Sequence, residues 1–272
     1  MCRTLKVSTS GFYDWRSRKP SARSLLRDRI ASAAAESHAE SHEVYGYRRV
    51  HADVVADHKI RCCDETVRSV MAALGLQGKH KKRFVRTTDS DHDRPVAANL
   101  LQRDFSAAGP NRKWLADITY IATRQGWLYL ATVLDAFSRR VVGWSMSDRI
   151  DAALVCDALD MAVGMRCPDE GLIHHSDRGS QYASESMAKL LDLHGIEVSM
   201  SRKADPWDNA MQESFFGTLK TEWADGVYES RDEAKRELFK YIELFYNPRR
   251  RHSSLGNISP VEYERRWKNG TL

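Results

Sequence analysis

Hydrophobic and polar positions follow two different periods along this chain, and the period changes after Pro110. Before that point apolar residues recur every three or four positions, as in Val67, Val70, Met71 and Leu74, which is the spacing of an amphipathic helix. After it, short segments rich in β-branched and aromatic residues are separated by turn residues. The pattern predicts a helical N-terminal part followed by a part that contains a sheet.

The N-terminal part, residues 1–94, is predicted to be helical throughout. Its first helix, within 5–13, follows a Ser cap, carries aromatic residues and continues into a basic stretch, as the second helix of a helix-turn-helix does. An Ala-rich helix near 27–42 comes next. We therefore expect a small all-helical, helix-turn-helix-like domain in 1–94, a linker in 95–110 and a second domain in 111–272.

The second domain is predicted to begin with three antiparallel strands near 118–121, 127–134 and 141–146. Helices and strands then alternate, and the predicted segments are a helix at 151–165, a strand at 172–175, a helix at 186–194, a strand at 197–200 and helices at 209–223 and 231–245. This order is typical of an α/β fold of the RNase H-like kind, a mixed five-stranded sheet with flanking helices.

Composition narrows the class of protein. No apolar run approaches the roughly 18 residues that span a bilayer, and the N-terminus lacks the apolar region of a signal peptide, so we expect a cytoplasmic protein. Residues 1–110 carry 20 Lys and Arg against 13 Asp and Glu, whereas residues 111–272 carry 22 against 24. A basic part beside a mildly acidic one suits DNA binding joined to a carboxylate-rich site, although a solvated charged surface would show the same balance.

Three carboxylates occur at informative places: Asp117 at the start of the first predicted strand, Asp177 after the fourth, and Glu213 on a helix. That helix is predicted to start at Asn209, which is spaced with Gln212 as a capping box. Phosphoryl transfer on DNA uses divalent ions held by oxygen ligands, so a few carboxylates are enough. Each carboxylate taken singly is better explained as a surface charge, and it is the setting of the three together that singles them out.

The residues around these carboxylates form four motifs: W-x-x-D-x-T-Y, H-S-D-R-G-S-Q-Y, D-N-A-x-x-E-S-F-F-x-x-L-K and Y-N-x-x-R-R-H-S-S-L-G. Asp177 and Glu213 are separated by 35 residues, and Lys220 follows seven positions after Glu213. With these motifs the chain resembles the OrfB-type transposases of bacterial insertion sequences, which are relatives of retroviral integrases. It departs from them at Ala204, where relatives often carry Gly, and at Arg251, where many carry Pro.

The resemblance implies a DNA transposase in which Asp117, Asp177 and Glu213 hold two Mg²⁺ ions, with Mn²⁺ as a substitute. Water would attack at the end of the element to free a 3′-OH, and that hydroxyl would attack a second phosphodiester. The resemblance also implies a homo-oligomer assembled on DNA. A further expectation is a partner, encoded in the upstream frame and joined by frameshifting, that recognises the element ends.

Several basic residues are candidates for DNA contact. Lys220 is expected near the reacting DNA, with an ordinary exposed helix lysine as the alternative. The other candidates are Arg202, Lys203, Arg249, Arg250, Arg48, Arg49, Lys81 and Lys82. His175 would orient a metal ligand or a phosphate, or serve only as a hydrogen-bonded strand histidine, and Asn209 would support the helix start.

Two other functions remain open at this point. One is an RNase H-like nuclease that cuts DNA without joining it, and the other is a non-enzymatic DNA-binding regulator derived from a transposase. A zinc site is not expected, because the adjacent Cys62 and Cys63 that follow His38 and His42 do not have the spacing of a zinc-binding cysteine pair.

Overall fold

The computed structural model describes residues 2–79, 97–202 and 206–272. The chain forms two compact units, Met1–Lys79 and His80–Leu272. The predicted boundary at residue 94 lies outside the described residues. None of the described helices is both long and apolar enough to cross a membrane.

The first unit contains four helices: α1 (Thr9–Ser17), α2 (Ala22–Glu40), α3 (Tyr47–Ala56) and α4 (Asp64–Ala73). The first begins where the Ser cap was predicted, since the Ser8 side chain accepts a hydrogen bond from the backbone of Gly11. The other three pack on one another through buried apolar side chains, Ile30, Ala33, Ala34, Val50, Val54, Val67, Val70 and Met71.

The second unit is built on a five-stranded sheet. Its strands are β1 (Lys113–Thr123), β2 (Gly126–Asp135), β3 (Val141–Ser147), β4 (Ile173–Ser176) and β5 (Glu197–Met200), and their spatial order is β3-β2-β1-β4-β5. The first three strands form the predicted antiparallel meander, whereas β4 pairs with β1 and with β5 in parallel. The sheet is therefore mixed and five-stranded, as predicted.

β1 is longer than predicted. It starts at Lys113 rather than near Ile118, so Asp117 lies in the middle of the strand and not at its start. The added residues Lys113–Ala116 are those that pair with β4, which follows more than 50 residues later in the chain. Local pattern does not show such a long-range pairing, which explains why the predicted boundary was wrong.

One face of the sheet packs against α5 (Ala152–Arg166) and α6 (Glu185–Leu193). Trp114, Val133 and Leu159 are among the buried residues of this core. α5 lies directly on β3 at Gly143, where an added Cβ would overlap the carbonyl oxygen of Ala158 and come within 2.7 Å of Ala162 Cβ. Gly143 is therefore needed for close helix–sheet packing.

The rest of the unit consists of a short 3₁₀ turn (Pro206–Asn209), α7 (Ala210–Glu222), α8 (Arg231–Phe239) and α9 (Pro260–Lys268). The helix predicted over 231–245 changes at Phe239 into a π-helical segment, Lys240–Tyr246. The wider turn buries Tyr241, Ile242, Phe245 and Tyr246 together. α9 begins as predicted, with a Ser259 cap that accepts from Glu262 N–H and with proline in the first turn.

A buried ion pair fixes the end of α7. Arg250 donates to both carboxylate oxygens of Glu222, at 2.6 and 2.5 Å, and the hydroxyl of Tyr241 donates to the same carboxylate at 3.2 Å. Arg250 is only 4% exposed. The prediction that it contacts DNA phosphates is therefore wrong: its guanidinium is committed to Glu222 inside the protein, because a buried charge requires a paired partner.

The neighbouring C-terminal residues also point inward. Asn247 pairs with both backbone groups of Val141 on the edge strand β3, each at 2.9 Å. The His252 ring packs edge-on against Tyr246, with centroids 5.0 Å apart. Within the Y-N-x-x-R-R-H motif, Asn247 thus binds the sheet, Arg250 binds α7 and His252 packs against Tyr246.

We expect Gly143→Ala to destabilise the chain by about 1–3 kcal/mol, because the added methyl group overlaps α5. Gly164→Ala is the matched control, since this exposed helical glycine has open space around it. That change should stabilise the chain by about 0.4–1 kcal/mol. Denaturant unfolding of the full chain measures both, and effects of equal sign would contradict this account of the packing.

Arg250→Met should cost about 3–5 kcal/mol of unfolding free energy, because it leaves the buried Glu222 carboxylate without its partner. Arg249→Met, at the exposed neighbouring position, should change the stability by less than about 0.5 kcal/mol. Thermal or denaturant unfolding distinguishes the two. A small loss for Arg250→Met would show that the pair does not anchor α7.

Candidate active site

Strand register places the first two predicted carboxylates beside each other. Ala116 and Ser176 are the last paired residues of the parallel β1 and β4 strands, and Asp117 and Asp177 are the residues that follow them. Adjacent strands lie about 4.8 Å apart, so two acidic residues at one level of a parallel pair are held close. Both side chains are partly buried.

A tight turn shapes the backbone around Asp177. Its Oδ1 accepts a hydrogen bond from the Gly179 backbone N–H at 2.9 Å. A Cβ on Gly179 would lie 3.0 Å from that same oxygen and 2.9 Å from Gln181 Oε1, so a side chain here would crowd the carboxylate. The glycine of the H-S-D-R-G motif therefore leaves room for Asp177 to turn back on its own loop.

The third carboxylate, Glu213, is exposed in the first turn of α7. Lys220 lies about two turns further along the same face, as its spacing predicts. Its Nζ sits 4.3 Å from the centre of the Tyr120 ring. Burial lowers the pKa of Lys220, while the negative charge of Asp117 opposes that shift.

The electrostatics of Asp117 show that the three carboxylates act on one another. Burial raises the pKa of Asp117 well above its ordinary value, and the negative charge of Asp177 raises it further. The Ile118 backbone N–H, which donates to Asp117 Oδ1 at 2.8 Å, has the opposite effect. Glu213 again raises this pKa and Lys220 lowers it. The cluster therefore has an excess of negative charge.

Gln212 joins α7 to the strand that carries Asp117. Its side-chain Nε2 donates to the carbonyls of Leu115 at 2.7 Å and Thr132 at 3.1 Å, and it is fully buried. Asn209 makes no side-chain cap hydrogen bond, so the predicted capping box is wrong. Gln212 instead makes tertiary hydrogen bonds, because the fold brings the carbonyls of β1 and β2 next to its side chain. Sequence reasoning missed this role.

Asp208 organises the approach to α7. It is 1% exposed and accepts hydrogen bonds from the Arg202 backbone and guanidinium and from Asn99. The Arg202 hydrogen bond is the main cause that holds the pKa of Asp208 down, at about 2. Arg202 is about half exposed, but its Nε and Nη2 are committed to Asp208. Arg202 therefore has a structural role, since it holds Asp208 just before the start of α7.

His175 lies inside the protein, between β4, β5 and the 3₁₀ turn. Its Nδ1 is 2.8 Å from Ser199 Oγ, and its Nε2 is 3.1 Å from Ser201 Oγ and 3.0 Å from the Asp208 carbonyl. Burial lowers its pKa, which favours the neutral ring. These contacts match the hydrogen-bonded strand histidine that was one of its two predicted roles.

Two buried polar side chains close to the cluster have no hydrogen-bond partner among the described residues. One is the amide of Asn209, four residues before Glu213, and the other is the hydroxyl of Tyr182. Burial raises the pKa of Tyr182 well above its ordinary value, and the charges of Asp117 and Asp177 raise it further, so its hydroxyl stays protonated. Sequence analysis did not single out Tyr182, although it ends the H-S-D-R-G-S-Q-Y motif.

The remaining candidates are dispersed. Arg249 is exposed, and in the first unit the Arg48 and Arg49 guanidinium groups lie over the Tyr47 and Tyr45 rings. Lys81, Lys82 and Lys203 lie outside the described residues. Within the described ranges, no three His, Cys, Asp or Glu side chains converge as a preformed metal site. Asp117, Asp177 and Glu213 thus interact through their charges but are not placed as a closed set of metal ligands.

Comparison with known proteins agrees with this architecture. An integrase core domain family matches residues 107–206, a second integrase core family matches 194–260, and an HTH-like domain matches 26–84. The HTH-like match therefore covers α2–α4 rather than the segment 5–13 proposed from sequence.

Among solved structures, an intasome of simian T-cell lymphotropic virus bound to a PP2A regulatory subunit is similar to this chain. It has a TM-score of 0.48 and 16% identity, over 85% of this chain and 74% of that one. The catalytic core domain of HTLV-2 integrase, in complex with magnesium, has a TM-score of 0.43 and 16% identity over 58% of this chain and 99% of that one.

Two relatives are similar over nearly the whole chain. The uncharacterized 31 kDa protein of insertion element IS600 from Shigella sonnei is 41% identical over 98% of both chains. Transposase InsF of insertion sequence IS3A from Escherichia coli strain K12 is 42% identical, over 97% of this chain and 92% of that one. The chain therefore belongs to the family of integrase-core transposases of bacterial insertion sequences, and it is a DNA transposase.

Proposed function

We propose that Asp117, Asp177 and Glu213 are the catalytic carboxylates of this transposase and that they hold divalent metal ions, Mg²⁺ in the first instance with Mn²⁺ as a substitute. The observation that carries the proposal is the parallel register of β1 and β4, in which Asp117 and Asp177 directly follow the last paired residues. Burial and the charges of the other two acids raise the pKa of Asp117 accordingly. Such a cluster is unfavourable by itself and is stabilised by a nearby cation.

The donor set fits a hard cation. All three side chains offer oxygen ligands, and the protonated Tyr182 hydroxyl and the Asn209 amide add unpartnered polar atoms beside them. Because the three carboxylates form an open cluster, we propose that two ions bind together with the DNA rather than in a ready-made cage. When bound, the ions would activate the attacking oxygen and stabilise the leaving oxygen in DNA cleavage and strand transfer.

The protein's own groups would position the DNA. Lys220 lies beside Asp117 and supplies a positive charge for a phosphate near the carboxylates. Gln212 keeps Glu213 in register with β1, because it anchors the first turn of α7 to the strand backbone. The exposed Arg249, together with Arg48, Arg49, Lys81, Lys82, Lys203 and the outer face of Arg202, remains proposed for phosphate contact away from the reacting bond.

Assembly is a separate proposal. We infer that the chain acts as a homo-oligomer on DNA, with the helical region 1–94 binding DNA through phosphates and a partner encoded in the upstream frame recognising the element ends. Tight, sequence-specific binding of element ends by the isolated chain would rule out the need for that partner.

Metal-free stability tests the charge cluster. We expect Asp117→Asn to raise the melting temperature in EDTA, because it removes a repelling charge. The variant should also lose the rise in melting temperature that Mg²⁺ causes in the wild type.

The pH dependence of stability tests the same carboxylate. Since the folded-state pKa of Asp117 lies above its unfolded value, the folded chain binds this proton more tightly. Wild-type stability in EDTA should then fall as the pH rises through the folded pKa, and the variant should lose that slope.

Asp169→Asn, at an exposed position in the loop before β4, is the control and should change neither the melting temperature nor its response to Mg²⁺. Differential scanning calorimetry across pH, with and without Mg²⁺, provides these data. A destabilised Asp117→Asn that still responds to Mg²⁺ would rule out the proposed cluster.

Catalysis is tested with pre-nicked element-end DNA and Mg²⁺. Glu213→Gln should lower cleavage and joining at least about 10³-fold, because losing a metal ligand removes several kcal/mol of transition-state stabilisation. DNA binding in EDTA should persist. Glu185→Gln, at an exposed site on α6, is the matched control and should remain active.

Three outcomes of that assay matter. Joined products from the wild type support strand transfer, and cleavage without joining would indicate an RNase H-like nuclease. An active Glu213→Gln would remove Glu213 from the proposed catalytic set.

A further inference from the structure

Two large aromatic side chains are exposed side by side at the hairpin between β1 and β2. Tyr120 is 39% and Trp127 is 49% exposed, and their ring centroids are 4.9 Å apart at 73°. The strand register explains the contact, because Trp127 is opposite Ala122, which lies on the same face of β1 as Tyr120. Two adjacent exposed rings of this size form a local apolar patch, unlike a single scattered apolar residue.

Lys220 connects this aromatic pair to the carboxylates. Its Nζ lies 4.3 Å from the Tyr120 ring centroid, which is a cation–π distance. The same charge interacts with Asp117. Tyr120 follows Asp117 by three residues on β1, a distance of about 10 Å along the strand. By alternation the two side chains leave opposite faces of β1, and Lys220 interacts with both of them.

The backbone under the aromatic pair is held firmly. Arg231 Nε donates to the Trp127 carbonyl at 3.2 Å, and the Arg231 backbone N–H donates to Gln125 Oε1 at 3.1 Å. The Tyr228 backbone N–H donates to the Ala122 carbonyl at 3.1 Å. The rings are thus presented on a braced hairpin, which reduces the entropy lost when a ligand stacks on them.

We propose that Tyr120 and Trp127 form a stacking site for an unpaired nucleobase of the DNA strand whose phosphate lies at the carboxylates. Proteins bind unpaired DNA by combining an aromatic ring for the base with a cation for the phosphate, and this surface has both. The site would therefore favour DNA opened near the reacting end.

This inference rests on the proposed catalytic role of Asp117, Asp177 and Glu213, which sets where the reacting phosphate lies. The stacking itself involves neither these acids nor a metal ion. Binding in EDTA can therefore test it independently of catalysis.

The experiment compares two DNA probes with the full-length chain in EDTA: a blunt duplex, and the same duplex with an unpaired tail that carries 2-aminopurine at successive positions. Stacking on an aromatic ring depends little on which base is present, so the sequence of the terminal repeats need not be known. The variants are Trp127→Ala, Trp127→Phe and the control Trp267→Ala. Trp267 is a 44% exposed tryptophan on α9 that contacts Phe137, beyond the opposite end of β2.

We expect Trp127→Ala to weaken binding of the tailed duplex by about 5- to 150-fold, which is the loss of one base stack, and to leave binding of the blunt duplex unchanged. The fluorescence change of 2-aminopurine should be confined to one or two positions in the wild type and absent in Trp127→Ala. Trp127→Phe, which keeps a ring, should restore most of both effects, and Trp267→Ala should match the wild type.

Equal losses on both probes, or no loss on either, would overturn the proposal. So would unchanged DNA binding with altered self-association in sedimentation, because the pair would then be a protein interface. Thermal unfolding checks each variant, and Trp127→Leu replaces Trp127→Ala if that variant does not fold. An active Glu213→Gln in the strand-transfer assay would refute the catalytic assignment alone, whatever the stacking result.

Discussion

The parallel pairing of β1 with β4 is the interaction on which the site depends. It joins Lys113–Ala116 to Ile173–Ser176, and each strand continues directly into an aspartate. Asp117 and Asp177 are thereby held at one level of the sheet, about one strand spacing apart. Burial raises the pKa of Asp117 most, and the repulsion from the Asp177 charge that this geometry brings near raises it further.

The third acid depends on how α7 is attached to the sheet. Gln212 binds the backbone of β1 and β2 at the start of the helix, and the buried Glu222–Arg250 pair holds its end. Glu213 lies between these two anchors and remains exposed. The arrangement combines a fixed helix with an accessible carboxylate, and Arg250 of the C-terminal motif contributes by holding the end of α7.

The side chains of Arg250 and Gln212 show which contacts could not be predicted from the sequence. Arg249 and Arg250 look equivalent in the basic run, yet one is exposed and the other is buried against Glu222. Gln212 has capping spacing but reaches a strand instead. In both cases the decisive partner lies 28 or more residues away in the chain. No local pattern identifies such a partner, since polar side chains take whichever partner the fold brings near.

The sequence by itself determined the α/β order of elements, the mixed five-stranded sheet, the family and the three candidate acids. The hydrophobic period, the turn residues and the Asp177–Glu213 spacing are properties of the sequence, and they can be recognised before the fold is known. Only the tertiary structure decided that Asp117 lies inside its strand, that Arg250 is buried and that Tyr120 and Trp127 sit beside Lys220. These features arise from contacts between segments far apart in sequence, whose geometry is set by packing of the whole unit.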